Sequence, residues 1–253
     1  MRIAVAGGSG TVGRHVVDDA RRRGHEVVVL TRASGVDLVT GDGLGVALAG
    51  CEAVVEAANV VTLRRRVATN FFEATARNLQ SACRSEGVGH MVVLSIVGVD
   101  RLRSLGYYAA KVTHERLHLA GPVPATVLRS TQFHEFALQV VDRSRIGPVA
   151  LVPSMLVQTV SARSVAERLV DLAEGRALKG RAPDVTGPPP PVRLEVRSRM
   201  ALAKVGSRTR VFALPIPGAA GRAIAKGALL GEADAVIAGP SFEAWLDGPD
   251  GPR

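Results

Sequence analysis

The stretch AVAGGSGTVGRHVV, residues 4–17, sets glycines at positions 7, 10 and 13 between an apolar run and a helical pattern. Strand-like Ile3–Ala6 leads into it, and Val12, Val16 and Ala20 recur behind it at helical spacing. Small residues at this point allow a tight turn, close approach of the backbone to a pyrophosphate, and close packing of helix on strand. The helix that follows presents free N–H groups and the positive end of its dipole to an anion. Gly7, Ser9, Gly10, Thr11, Val12 and Gly13 are therefore the expected phosphate cradle of a dinucleotide site.

Outward from this turn, strand-like runs fall at 3–6, 26–31, 36–39, 53–57, 90–95 and 126–129, with helical patterns between them. EVVVL, AVVEAA and MVVLS are almost continuously apolar, as strands buried on both faces of a parallel sheet are. The expected fold is α/β, a Rossmann-type doubly wound parallel sheet. The second half is less regular. VALVPSMLVQTVSA reads as two short extended pieces, and SVAERLVDLAEG as a helix with Ser164 and Glu167 as a capping box. TGPPPPV reads as a rigid turn before another helix, RVFAL as a strand, and the segment after Pro217 as an Ala-rich helix. Residues 1–150 are assigned to the nucleotide-binding domain. Residues 151–253 are assigned to a small, partly interleaved C-terminal substrate lobe.

Composition narrows the class. The 253 residues are 47% hydrophobic with 27 glycines and 14 prolines, which excludes a disordered chain or a fibre. No apolar run reaches a membrane span, and MRIAVAGG enters strand-like sequence at once, so a cytoplasmic protein without a leader is expected. Cys51 and Cys83 lack metal-ligand spacing and read as reduced core residues. The net charge is +9, but the arginines are dispersed and aromatics make up only 4%. This reads as a solvated basic surface that attracts anionic ligands, not as a nucleic-acid interface.

The end of the second strand selects the cofactor. An NAD site places an acid there to bond the ribose hydroxyls. Here VVVLTRAS offers Thr31, Arg32 and Ser34. Arg32 can grip a 2′-phosphate bidentately and Ser34 can add a hydrogen bond, so NADP(H) is expected over NAD(H).

Tyr107 and Lys111 form Y-x-x-x-K on one face of an expected helix. A phenol ordinarily titrates near pH 10, so its use at neutral pH requires a neighbouring ammonium. Adjacent Tyr108 is the rival proton donor, although Tyr107 alone pairs with Lys111 at i, i+4. The same helix carries HERLHLAG, which matches H-E-x-x-H at His114, Glu115 and His118. Its extended form needs a His where Pro124 stands, and Glu135 is separated from the motif by the extended run ATVLR. No metal site is expected there. Gln132, Phe133 and His134 follow the last strand-like run, beyond the carboxyl end of a strand, where a substrate pocket is expected.

The spacing G-x-x-G-x-x-G resembles the short-chain dehydrogenase/reductase superfamily. GDGLGVALAGCEAVVEAAN, GVGHMVVLSIVGVD, YYAAK and VLRSTQFHEF narrow the likeness to its atypical, NmrA-like group, over residues 3 to about 245. The resemblance implies that Asp42 faces the adenine and that Ala57, Ala58 and Asn59 lie along the cofactor. It also implies that Tyr107 gives or takes the proton at the substrate oxygen. Lys111 would lower the phenol's pKa and hold the nicotinamide ribose, and Ser95 would polarise a carbonyl. The implied activity is an NADPH-dependent reductase of a carbonyl, enone or quinone-type small molecule. A non-catalytic NADP-sensing regulator and a non-redox lyase or isomerase on the same fold stay open, as do monomer and homodimer.

Overall fold

Ile3, Ala4, Val5 and Ala6 have no solvent exposure, and this run forms the centre of a sheet. The computed structural model describes residues 1–252, which divide into two units. The first comprises residues 1–129 and 165–183, and the second residues 130–164 and 184–252. The boundary expected at residue 150 thus falls inside the second unit, and the chain passes between the units more than once.

In the first unit β1 (Arg2–Ala6), α1 (Gly13–Arg22), β2 (Glu26–Leu30), α2 (Leu44–Leu48), β3 (Ala53–Glu56), α3 (Arg65–Ser85), β4 (His90–Ile96), α4 (Gly106–Ala120) and β5 (Ala125–Ser130) alternate. Spatial order is β5-β4-β3-β1-β2. β1 pairs in parallel with β2, aligning Ala6 with Leu30, and with β3, aligning Ala6 with Glu56. The chain runs outward to β2 and then crosses back over β1 to β3, so the turn after β1 sits where the strand order reverses. That is the position at which open α/β sheets bind ligands. Leu44, Leu48, Leu79 and Cys83 pack with Ala4, Val54 and Met91 in one core cluster. Val16 and Ala20 of α1 are wholly buried. Cys51 and Cys83 are free and buried, and burial pushes the Cys83 thiol up to about 12.

Two expectations fail here for local reasons. Residues 36–39 form no strand. The Asp37 carboxylate accepts from the Val39 and Thr40 N–H groups, and Gly35, Gly41 and Gly43 have positive φ, so the segment turns instead of extending. Ser95 accordingly ends the fourth strand and not the fifth. The helix expected from Ser164 begins earlier, as α6 (Ala162–Glu174), and Ser164 lies within its first turn, where the backbone of Gly239 packs against its side chain. The Ser164–Glu167 capping box therefore does not form the helix start. From Val165 onward α6 belongs to the first unit, as does β9 (Gly180–Arg181), which pairs in parallel with β5.

The second unit contains α5 (Phe136–Ser144), β6 (Arg145–Ile146), β7 (Val149–Pro153), β8 (Leu156–Val157), β10 (Val185–Thr186), β11 (Val192–Arg193), α7 (Leu194–Lys204), β12 (Arg210–Leu214), α8 (Gly218–Ala225), β13 (Val236–Ile237) and α9 (Phe242–Asp247). Val185 of β10 pairs with Ser130 and with Val236 of β13. β12, β7 and β6 form a separate sheet, and β11 pairs with β8. VALVP and LV are the two extended pieces read in the sequence, and RVFAL is β12. Among the described residues no helix is long and apolar enough to cross a membrane.

Candidate active site

The glycine turn is as close-fitting as its sequence requires. A Cβ on Gly7 would lie 2.8 Å from the Ala58 backbone, and one on Gly13 would lie 2.0 Å from the Gly7 carbonyl oxygen. The first contact holds the turn against the end of β3, and the second holds α1 against the turn. No side chain caps α1 at Val12. Within its first turn the Arg14 N–H donates to the Gly10 carbonyl at 3.1 Å and the His15 N–H to the Val12 carbonyl at 2.9 Å. Ser9 and Gly10 are exposed, Thr11 is half-buried, and Ala57, Ala58 and Asn59 follow β3 directly. The structure thus brings the expected cradle residues together from β1, α1 and β3.

At the end of β2, Thr31 and Ser34 close a short 3-10 turn over Arg32–Ser34 with reciprocal capping bonds. The Ser34 hydroxyl also lies 2.9 Å from the Val29 carbonyl oxygen, so it is committed to the turn and not free to bond a phosphate. Arg32 is exposed, and its side chain makes no ion pair or hydrogen bond among the described residues. Arg32, Gly35, Val36, Asp37 and Asp42 line a cleft of about 300 Å3. Asp42 is exposed and its carboxylate accepts from the Thr40 hydroxyl at 2.7 Å. A dinucleotide fits this arrangement: the cradle leaves no room for side chains, and the cleft holds one unpaired guanidinium.

α4 places Tyr107 and Lys111 one turn apart. The Tyr107 hydroxyl donates to Asn59 Oδ1 at 2.9 Å, which joins α4 to the residues after β3. Its ring packs edge-on against Phe72 of α3, 5.9 Å between centroids. Burial pushes the Tyr108 phenol further up, with the neighbouring Tyr107 adding to the effect, which makes Tyr108 the poorer proton donor. Lys111 is only 4% exposed. Its ammonium donates to the Leu94 carbonyl at 2.9 Å, lies 3.2 Å from His114 Nδ1, and sits 4.8 Å from the centre of the Phe72 ring. Ser95 is buried, and its hydroxyl faces the Glu115 carboxylate, whose pKa it helps to lower.

The H-E-x-x-H residues have separate fates. Glu115 accepts from Arg129 through both carboxylate oxygens at 2.8 Å and from Arg181 at 3.2 Å. Burial alone would raise its pKa, but the Arg129 hydrogen bonds and charge and the Arg181 charge lower it below the ordinary carboxylate value. A carboxylate locked in this way cannot serve as a general base. His114 and His118 do share a face, and their neighbour is Glu56 of β3, with His114 Nε2 2.9 Å from Glu56 Oε2. All three are buried, with donor atoms within 4.8 Å of one another. Glu56 had no signal in the sequence beyond an acid interrupting the apolar run AVVEAA.

The expected pocket residues Gln132, Phe133 and His134 lie in the second unit. Phe133 bridges to Val160. His134 has no exposure; its Nδ1 lies 2.8 Å from the Thr159 hydroxyl and its Nε2 3.2 Å from the Pro240 carbonyl oxygen. Its ring packs against Phe242 and Trp245. His134 is thus a satisfied core residue, whereas the buried Gln132 Oε1 has no partner among the described residues.

Residues 3–99 match the NAD dependent epimerase/dehydratase family. No curated protein matches the chain. Among solved structures it is similar to the UDP-glucose 4-epimerase of Thermus thermophilus in complex with NAD. Identity is 19% with a TM-score of 0.65, over 95% of this chain and 91% of that one. It is also similar to a short-chain dehydrogenase/reductase superfamily protein of Agrobacterium tumefaciens with bound NAD, at 17% identity and a TM-score of 0.63, covering 98% and 90%. A UDP-N-acetylglucosamine 4-epimerase from Bacillus cereus matches at 18% and 0.64, covering 85% and 88%. These likenesses establish a Rossmann-type α/β fold.

Proposed function

We propose that the chain is an NADP(H)-dependent reductase of the atypical, NmrA-like kind, acting on a carbonyl, enone or quinone-type small molecule. The observation that carries this reading is the Tyr107 hydroxyl held 2.9 Å from Asn59, next to the Ala57–Ala58 backbone on which the Gly7 turn closes. It sets a proton donor beside the cradle. The cofactor's diphosphate would lie on the glycine turn at the start of α1, whose Gly10 N–H is already used by the Gly7 carbonyl, and Arg32 would hold the 2′-phosphate. When bound, NADPH supplies a hydride. Tyr107 would pass its hydroxyl proton to the substrate oxygen, the ammonium of Lys111 would stabilise the phenolate left behind, and the Ser95 hydroxyl would donate to the same oxygen.

The match of residues 3–99 to an epimerase/dehydratase family favours a second reading, in which the hydride is returned and no net reduction occurs. One experiment separates the two. NADPH consumption is followed with a panel of aldehydes, enones and quinones, for the unmodified protein and Tyr107→Phe. The reductase reading predicts stoichiometric consumption that the substitution lowers about 100-fold or more, with nucleotide affinity unchanged. Turnover of a sugar nucleotide without net NADPH loss would favour the epimerase-type reading. Unchanged consumption by Tyr107→Phe would contradict the role given to the tyrosine.

A further inference from the structure

Behind Tyr107 lies a buried polar row of which the proposed reaction uses only Lys111 directly. Glu56 on β3 and Lys111, His114 and His118 on α4 are all 4% exposed or less. Lys111 Nζ, His114 Nδ1, His114 Nε2 and Glu56 Oε2 follow one another through contacts of 3.2 and 2.9 Å. An ammonium has no lone pair, so His114 Nδ1 must be the acceptor. The imidazole proton then sits on Nε2, 2.9 Å from Glu56 Oε2, a close electrostatic contact without hydrogen-bond geometry. We propose that Glu56 and His114 are positioning residues for Lys111: the carboxylate, transmitted through the imidazole, is the buried counter-charge that keeps the ammonium charged and in place beside Tyr107. The inference rests on the reductase reading for its purpose but not for its test.

Among the remaining neighbours Glu115 also adds counter-charge to Lys111, less than Glu56 does. Lys111 donates to the Leu94 carbonyl of β4, a neutral dipole, and faces the Phe72 ring of α3. On α4, Glu115 is engaged by Arg129 and Arg181, and Tyr107 bonds Asn59. His118 packs edge-on to His114, 4.7 Å between centroids, and is held neutral by burial. Burial pushes Lys111 down and Glu56 up, and each opposes the other's shift through its charge. Two of the three ammonium protons are used by Leu94 and His114, which leaves one for Tyr107 or a cofactor ribose. A metal on Glu56, His114 and His118 is incompatible with this arrangement. Coordination through His114 Nε2 would move the ring proton to Nδ1, directly against the ammonium.

The chain has four lysines, at 111, 179, 204 and 226, so side-chain NMR of lysine Nζ resolves Lys111 without any substrate, and Lys111→Met assigns it. The proposal predicts an ammonium at pH 7 whose titration midpoint falls by a unit or more in Glu56→Gln, about a tenfold loss in proton affinity. If Glu56→Gln does not fold, His114→Gln carries the test, because it interrupts the row and leaves the carboxylate in place. A midpoint unchanged in the variant that folds overturns the proposal. So does stoichiometric zinc in the purified protein that is lost in His118→Ala. A shifted midpoint in a protein that never consumes NADPH would leave this inference standing and remove the reductase reading.

Discussion

At Gly13 the space for a side chain is already taken, because a Cβ there would lie 2.0 Å from the Gly7 carbonyl oxygen. Gly13→Ala must therefore push α1 off the turn. We expect a loss of about 2 kcal/mol or more in unfolding free energy. We also expect loss of the rise in melting temperature that NADPH gives the unmodified protein; a normal melt with a normal NADPH shift would contradict the close packing. Glycines of this kind were legible in the sequence because backbone crowding leaves one residue type possible. The role proposed for Arg32 rests on charge alone, which selects between a hydroxyl and a phosphate partner. Glu56 was not legible, since one acid in an apolar strand says nothing about which helix will cover it, and His114 lies 58 residues away. Ser34 was misread because the hydroxyl that could bond a phosphate can equally close its own turn, and that local bond prevails.

α4 and β5 are joined by Glu115 and Arg129, both buried and paired in bidentate fashion. Removing one partner strands a charge in the interior, so Arg129→Met should cost about 3–5 kcal/mol in chemical denaturation. The same pair has a pH signature. The Glu115 pKa is lower folded than unfolded, so its contribution is present above the ordinary carboxylate pKa near 4.5 and is lost as pH falls through the folded value. Glu115→Gln should flatten stability in the acid range below about pH 4.5. His134 acts higher: burial first, despite its bond to the Pro240 carbonyl, lowers its pKa from 6.5 to about 4. The unfolded chain then binds the proton and the folded chain does not, so stability falls as pH drops from 6.5 towards 4, by about 2 kcal/mol at pH 5. His134→Asn should remove that slope in urea titrations at pH 7 and pH 5, and an unchanged slope would contradict the buried, neutral histidine. AVVEAA and MVVLS were read correctly because burial on both faces leaves no other pattern, whereas EVVVL forms the edge strand β2 and is only partly buried. The run 36–39 was misread, because Asp37 captures two backbone N–H groups that a strand would have used.

On the scale of the molecule, the half-and-half division read from the sequence gives way to two units that exchange segments at residues 129, 164 and 183. Periodicity reports which face of an element is buried and not which neighbour buries it, so the return of 165–183 to the first unit left no local mark. Net charge is a whole-molecule property that the sequence does disclose. With +9 spread over the chain, NADPH affinity should fall steadily between about 0.05 and 0.5 M salt, whereas a salt-independent affinity would argue against charge-led capture. The central claim, an NADP(H) site closed by Arg32, is tested most directly by calorimetric titration of NADPH and NADH into the unmodified protein and Arg32→Asp. The account predicts that NADPH binds about tenfold or more tightly than NADH and that the substitution abolishes or reverses this preference. Equal or tighter binding of NADH by the unmodified protein would contradict it.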